Sequence, residues 1–366
     1  LSPATAPAAM ASAPAAVQAV GDAGKEIVYI DGEAGNIRVL DTVVGGGVQV
    51  QWVSPEADFR EFALGDVNGD GDLEIIGVKG DGTEAKPGKL IIYDPVKAKS
   101  DSFPAEKING IPWTTLFTLT VPGRPLMVAA GNFDVGVTGD EFVVGYEIPA
   151  FRPPGDDQDK FFVIFTYKNA TNTSAGRDWV VHDGPRYSEE KWNRASVGQF
   201  VAGGADELGL VDEDQGKLEV RRLDSGFARL FDVGDSSKPF KDVAMGPWDP
   251  NDGVQVAGVR DVVQPATSFY IWDWNESERE EEEDPKSSYD PAPRRVAMID
   301  VDGKGEKEIF LLRSLPGGNR PRLIVWNRGD EIVDWDYSGE ANLGDNEWRS
   351  ISGGDLVGNV KEELIL

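Results

Sequence analysis

The 366-residue sequence contains no cysteine and a single histidine. Without cysteine there are no disulfides, no thiolate metal sites and no cysteine nucleophile. One imidazole is too few for the common histidine-based zinc sites, and a Ser-His-Asp triad would have to use His182. Its context, Trp179–Gly184, is typical of a structural residue where a strand ends in a turn. The remaining chemistry is that of carboxylates and carbonyls: binding of hard cations, or acid–base work by Asp and Glu pairs.

Positive charge is also scarce, since 36 Lys and Arg face 64 Asp and Glu, for a formal charge of −28. Such a chain repels phosphates at long range, so we expect no nucleic-acid partner. Long apolar runs are missing too. No stretch approaches the roughly 18 apolar residues that a spanning helix requires, so we expect no membrane span.

The first residues are nearly all Ala, Pro, Ser, Thr and Val, with neither a basic region nor an apolar core of the kind found in a signal peptide. We interpret residues 1–15 as a flexible leader of an exported protein, and residues 16–366 as one domain. Localisation outside the cell or at its surface follows from this interpretation.

An internal repeat dominates the rest of the chain. A short apolar strand ends in Gly-Asp or a close relative, and a polar Gly/Asp loop leads to a second strand that often begins with an acid. Third and fourth strands, rich in β-branched and aromatic residues, often follow, for example at 89–95 and 115–121. The repeat occurs seven times, the first in shortened form: at 16–30, 62–78, 128–146, 195–211, 243–259, 296–312 and 351–366.

Four short strands in each unit of roughly 45–65 residues are typical of propeller blades. The sequence therefore predicts an all-β fold, a β-propeller of four-stranded blades. Seven motifs favour seven blades; six is the alternative, in which the end of the chain completes the first blade. Separate β-sandwiches would explain the strands, but not the recurrence of one loop between the first and second strand of every unit.

The loop and its flanking strands resemble the FG-GAP (VCBS-like) repeat, the blade unit of the integrin α-subunit head and of several secreted lectins. The resemblance covers nearly all of residues 16–366 and is most specific at 62–78, although the Phe-Gly pair that names the family is mostly missing. It implies calcium ions that hold loops together, and a role in adhesion or recognition.

The strongest candidate metal site is the loop that begins at Asp66. Oxygen-bearing side chains stand at its first, third, fifth and ninth positions, and Gly71 permits a sharp reversal at the sixth. Calcium prefers six to eight oxygen ligands in a flexible cage. The loop resembles the integrin-type D-x-D-x-D-G-x-x-D pattern, with Asn and Glu at the third and ninth positions. The predicted ligands, the fourth through its carbonyl, are Asp66, Asn68, Asp70, Asp72 and Glu74.

A second, weaker candidate begins at Asp300. It keeps Asp302 and Glu308 at the third and ninth positions, but Lys304 stands where the fifth ligand should be. The ammonium group there is able to neutralise the carboxylates in place of an ion. Both loops are also compatible with plain turns, which favour Gly, Asn and Asp for conformational reasons.

Three functions remain open. The preferred one is a non-enzymatic, calcium-stabilised extracellular propeller that binds a glycan or a protein ligand. The second is a structural subunit of a larger extracellular or surface assembly. The third is a polysaccharide-degrading enzyme that uses a pair of carboxylates, although no pair in the sequence stands out for that role.

Overall fold

The computed structural model describes part of the chain, and the remaining residues, among them residues 1–14 of the leader and Asp302, lie outside it. The described ranges are 15–18, 25–42, 48–95, 113–121, 123–136, 138–149, 160–169, 179–187, 191–201, 203–223, 227–234, 236–249, 253–260, 269–274, 279–282, 293–301, 303–313, 322–326, 333–335, 352–354 and 363–365.

Three four-stranded sheets form the first half of the described chain. The first contains β1 (Ala15–Gln18), β2 (Lys25–Ile30), β3 (Ile37–Thr42) and β4 (Val48–Val53). The second contains β5 (Phe59–Gly65), β6 (Glu74–Lys79), β7 (Gly88–Pro95) and β8 (Trp113–Val121). The third contains β9 (Arg124–Gly131), β10 (Glu141–Pro149), β11 (Lys160–Asn169) and β12 (Trp179–Tyr187).

Three more sheets of four strands and one pair of strands form the second half. The fourth sheet contains β13 (Arg194–Gly198), β14 (Glu207–Asp212), β15 (Lys217–Arg222) and β16 (Ala228–Gly234). The fifth contains β17 (Phe240–Gly246), β18 (Gln255–Arg260), β19 (Phe269–Trp274) and β20 (Arg279–Glu282). The sixth contains β21 (Pro293–Ile299), β22 (Glu308–Arg313), β23 (Arg322–Trp326) and β24 (Val333–Trp335), and the pair is β25 (Ser352–Gly354) with β26 (Glu363–Ile365).

Each sheet is an antiparallel meander in which strands adjacent in sequence are adjacent in space. The expected all-β class is confirmed. Across the described ranges every regular element is a strand, and no helix there is long and apolar enough to cross a membrane. One local expectation was wrong: His182 lies inside β12, which continues to Tyr187, and not at the end of a strand.

The core lies between successive sheets. In the second sheet Ile75 and Ile91 pack toward the first sheet, whereas Ile76 and Ile92 pack toward the third. Because side chains alternate along a strand, both faces of this sheet are buried, and the central strand β6 is buried at every position but its last. Sheets buried on both faces are propeller-like, since an isolated two-sheet sandwich leaves its outer faces in water.

First strands of successive sheets contact one another. The contacts run from β5 to β9, β13, β17, β21 and β25 in turn, and β25 also contacts β1. At these junctions the motif glycine gives the next sheet room: a Cβ at Gly65 would lie 2.7 Å from Ala130 Cβ. The glycine that ends the first strand in the repeat therefore serves the packing between sheets.

Candidate metal centre

The loop between β5 and β6 is organised around the carboxylate of Asp66. Its Oδ1 accepts the backbone N–H groups of Gly69 (2.7 Å) and Asp70 (3.0 Å), and its Oδ2 accepts that of Gly71 (3.0 Å). Gly71 has a φ of +94°, in the left-handed region that only glycine adopts easily. The sequence pattern thus produces the tight reversal that was expected, with Asp66 at its centre.

Asn68 and Glu74 form the buried floor of the loop, at 2% and 0% exposure. Glu74 accepts hydrogen bonds from the backbone N–H of Asn68 (3.2 Å, Oε2) and from its side-chain Nδ2 (2.6 Å, Oε1). Asn68 Oδ1 in turn accepts the N–H of Asp70, and Asp70 Oδ1 that of Asp72. All five predicted ligands therefore belong to one hydrogen-bonded loop, but of their carboxylates Asp70 and Glu74 are the two in the group that converges closely enough to share an ion.

Sequence reasoning missed one carboxylate at this site, that of Asp94. Ligand oxygens of Asp70, Glu74 and Asp94 lie within 4.8 Å of one another. Calcium–oxygen distances of about 2.3–2.6 Å place two ligands of the same ion at most about 5 Å apart, so one ion is able to reach all three. The donor set is made of oxygens alone, which fits calcium.

Asp94 reaches the loop through strand register. Ile75 of β6 is opposite Tyr93 of β7, so one step further Glu74 faces Asp94. Like charges directly opposite one another in a sheet are destabilising. Burial, and after it the negative charges of Asp94, Asp70 and Asp66, raise the pKa of Glu74 to about 9. A cation held between these carboxylates would offset both the burial and the repulsion.

The matching register position differs in the neighbouring sheets. In the fourth sheet the buried Glu207 faces Arg222, and the two form an ion pair of 2.6 Å. In the third sheet the position opposite Glu141 holds Lys168. In the fifth the strand begins with the neutral Gln255, opposite Asp273. Among these four sheets, acid faces acid only in the second.

The residue that begins the second strand has a common structural role in the third, fourth and fifth sheets. Glu141 accepts the backbone N–H of Asp134 (2.8 Å), and Glu207 that of Val201 (3.1 Å). Gln255 accepts that of Trp248 (2.7 Å). The acid at this motif position is therefore explained by loop closure alone, and it is a candidate metal ligand only where further carboxylates converge on it.

The second candidate loop has the same backbone design. Asp300 Oδ1 accepts the N–H groups of Gly303 (2.7 Å) and Lys304 (3.1 Å), and its Oδ2 accepts that of Gly305 (2.8 Å). Glu308 accepts the N–H of Val301 (2.9 Å). The third predicted ligand, Asp302, lies outside the described residues, and no group of three acids converges on this loop in the described chain.

A separate ionic cluster lies where first strands meet. Arg194 Nη1 is 3.6 Å from Glu61 Oε2, and Arg295 interacts electrostatically with Arg194, Asp242 and Glu61. The four residues belong to β5, β13, β17 and β21 and occupy one position, opposite the fifth residue of the adjacent second strand. Burial raises the pKa of Glu61 to about 7, against the opposing effect of Arg194.

No protein-family model and no curated protein matches the sequence. Solved structures align with the chain. Rhamnogalacturonan lyase YesW aligns over 97% of this chain and 69% of its own, with 13% identity and a TM-score of 0.53. The rhamnogalacturonan lyase of Bacillus licheniformis covers the same shares at 14% identity and a TM-score of 0.52. A chain of the mitotic checkpoint complex aligns over 81% of this chain and 70% of its own, at 10% identity and a TM-score of 0.46. The likeness to the two lyases is one of fold alone.

Proposed function

We propose that the protein is a non-enzymatic β-propeller of FG-GAP-like repeats, stabilised by calcium, that binds a glycan or a protein outside the cell or at its surface. The proposal joins three parts: a closed ring of blades, a calcium ion in the 66–74 loop, and a recognition role for the assembled surface. Each part has its own support.

Seven blades in a closed ring is the arrangement that the strand contacts favour. The pair β25–β26 forms a sheet of its own, and β25 contacts both β21 and β1. In the six-blade alternative the final strands would complete the sheet that contains β2, but β2 pairs with β1 and β3. Closing the ring protects the sheet edges, which otherwise invite pairing with other chains.

The observation that carries the calcium proposal is the convergence of Asp70, Glu74 and Asp94 on the loop built around Asp66. The buried Glu74 faces the half-buried Asp94, and such a pair of carboxylates is unfavourable without a counter-ion. In the third, fourth and fifth sheets the corresponding pair has a basic or a neutral member. Magnesium fits less well, because it requires near-ideal octahedral geometry and keeps several waters. The role of the ion is to fix the loop and relieve repulsion in a chain of charge −28.

The recognition role rests on the family resemblance and on the scarcity of nucleophile–histidine chemistry in the sequence. Binding sites are found on loops held by a rigid scaffold, which a propeller provides. Extracellular calcium modules work with dissociation constants of about 10⁻⁴–10⁻³ M, so a site of this kind would be filled outside the cell. A structural subunit of a surface assembly is the closest alternative, since it uses the same fold and the same ion.

A polysaccharide lyase is the other candidate, favoured by one observation: the two lyases align with 97% of the chain. The test therefore has two arms. Glycan-array binding with and without calcium examines recognition, and ultraviolet absorbance of unsaturated products from acidic polysaccharides examines lyase activity. Calcium-dependent glycan binding without product formation supports the proposal, whereas product formation would replace it with a lyase function.

Calcium binding itself is examined by titration calorimetry of the wild type and of the Asp66→Ala, Asp70→Ala double variant, which we expect to bind no ion at this loop.

A further inference from the structure

The loop between β9 and β10 of the third sheet packs against the 66–74 loop of the second sheet. The backbone N–H of Asp66 donates to Asp140 Oδ2 (2.9 Å), and the backbone N–H of Asp140 donates to the carbonyl of Asp66 (2.8 Å). The two residues are 74 positions apart in sequence. This reciprocal pair fixes the backbone of the residue that organises the candidate site.

The contact between these two loops is closely packed as well as hydrogen-bonded. Gly139 adopts a φ of +93°, and a Cβ on it would lie 2.7 Å from the carbonyl oxygen of Asp66 and 2.9 Å from the amide nitrogen of Gly69. A Cβ on Gly69 would lie 3.2 Å from the carbonyl oxygen of Thr138. Residues 138–140 therefore lie directly against the start of the proposed calcium loop.

The same pair of bonds recurs one junction further on, against a different residue. The N–H of Asp206 donates to the carbonyl of Asn132 (2.8 Å), and the N–H of Asn132 donates to Asp206 Oδ2 (2.9 Å). There the residue held by both hydrogen bonds is Asn132, which begins the 132–140 loop. Among the described residues no group of three acids converges on that loop. Asp206 thus shares the structural role of Asp140 at the next junction, and its negative charge acts on the carboxyl group of Asp140.

We propose that Asp140 is a positioning residue for calcium, and that the ion bound by the second sheet depends on a side chain of the third. The inference rests on the proposed calcium site. Groups that orient metal ligands contribute to affinity because they hold the ligands in the bound geometry before the ion arrives. By linkage, calcium then strengthens the junction between the second and third sheets to the same degree that this junction strengthens calcium binding.

The test compares calcium dissociation constants, measured by calorimetry, in the wild type, Asp140→Ala, Asp140→Asn and Asp206→Ala. We expect Asp140→Ala to weaken binding about tenfold or more, in the range found for residues that support metal ligands. Asp140→Asn keeps an oxygen that accepts the Asp66 N–H, and should restore most of the affinity. Asp206→Ala should lower the melting temperature without calcium about as much as Asp140→Ala, but weaken calcium binding much less, because it acts on the loop through the charge of Asp140 and not through a hydrogen bond to Asp66.

Each outcome decides the matter. A smaller loss in Asp140→Ala, or an equal loss in Asp206→Ala, would overturn the positioning role. If the wild type itself binds no calcium, the proposed function fails first, which is a different result. If Asp140→Ala does not fold, hydrogen exchange of the wild type takes its place: calcium should slow exchange of the amides at 138–140 and not at 204–206. Equal rates at 138–140 with and without calcium would contradict the inference.

Discussion

Arg222 forms a 2.6 Å ion pair with the buried Glu207, at the register position where Asp94 faces Glu74 in the second sheet. The two sheets share one backbone design and differ in how the buried acid is neutralised. In the fourth sheet the guanidinium of Arg222 neutralises this acid, whereas in the second sheet we propose that a cation from solution does so. This difference leads to the most direct test of the calcium site.

Asp94→Arg should make the second sheet independent of calcium. The introduced guanidinium takes the place that Arg222 has opposite Glu207, so it neutralises Glu74 and excludes the ion. At a calcium concentration 100-fold above the dissociation constant, binding adds about 2.7 kcal/mol to stability. For a chain of this length that corresponds to a rise of about 3 °C in melting temperature, which the variant should lack. Differential scanning calorimetry in calcium and in chelator measures it.

Arg222→Ala is the matched control. It leaves Glu207 buried without its ion-pair partner, so we expect a loss of about 3 kcal/mol that is the same in calcium and in chelator. A calcium response that persists in Asp94→Arg would show that Asp94 is not part of the site.

Lys304→Asp should give the sixth sheet a calcium site. Asp300 is bound by three backbone N–H groups as Asp66 is, and Lys304 occupies the position of Asp70. Replacing the ammonium by a carboxylate completes the alternating oxygen pattern that calcium prefers. Calorimetry should then count one calcium ion more than in the wild type. Lys238→Asp makes the same change of charge at an exposed turn and should add none; an unchanged count in both variants would refute the expectation.

Gly65→Ala should destabilise the junction between the second and third sheets. Its Cβ would lie 2.7 Å from Ala130 Cβ and 3.1 Å from Asp140 Oδ2, so one sheet must move. Overpacking of this kind costs about 1–3 kcal/mol. Gly32→Ala meets nothing within 4 Å and serves as the control, with an expected change close to zero. Urea unfolding midpoints of the two variants compare them, and equal midpoints would show that the sheets are not packed this closely.

Glu61→Gln should change how stability depends on pH. The folded protein holds the proton of Glu61 up to about pH 7, whereas a free glutamate releases it near 4.5. Stability is therefore lost as pH rises between these values, by at most about 3 kcal/mol from this residue. The variant lacks this loss, so its stability relative to the wild type should increase from pH 5 to pH 8 in urea unfolding.

Glu56→Gln should change the pH dependence of stability in the opposite direction to Glu61→Gln. A hydrogen bond from Lys79 lowers the pKa of Glu56, so its contribution is present at neutral pH and is lost on acidification. This variant should lose stability relative to the wild type at pH 8. If both variants follow the same pH trend, burial of Glu61 in the ionic cluster with Arg194 has no special effect on the pH dependence.

Much of the candidate site follows from the sequence. The spacing of Asp66, Asn68, Asp70 and Glu74 encodes a loop whose hydrogen bonds are nearly all local, within six residues of one another. The repeat likewise predicts the strands, because alternation and turn residues are properties of short segments. Interactions between residues this close in sequence are predictable from the sequence alone. The expectation that a strand ends near His182 was wrong, because strand length depends on pairing partners that the segment itself does not contain.

The sequence by itself determined an acidic, all-β chain of repeated four-stranded units, with one loop rich in calcium-type ligands. Only the tertiary structure decided which distant residues complete that loop. Asp94 arrives through the register of β6 and β7, and Asp140 through the packing of the third sheet on the second. Register and packing are set by the whole set of apolar contacts between strands and sheets, so no local pattern around Asp94 or Asp140 reveals their neighbours.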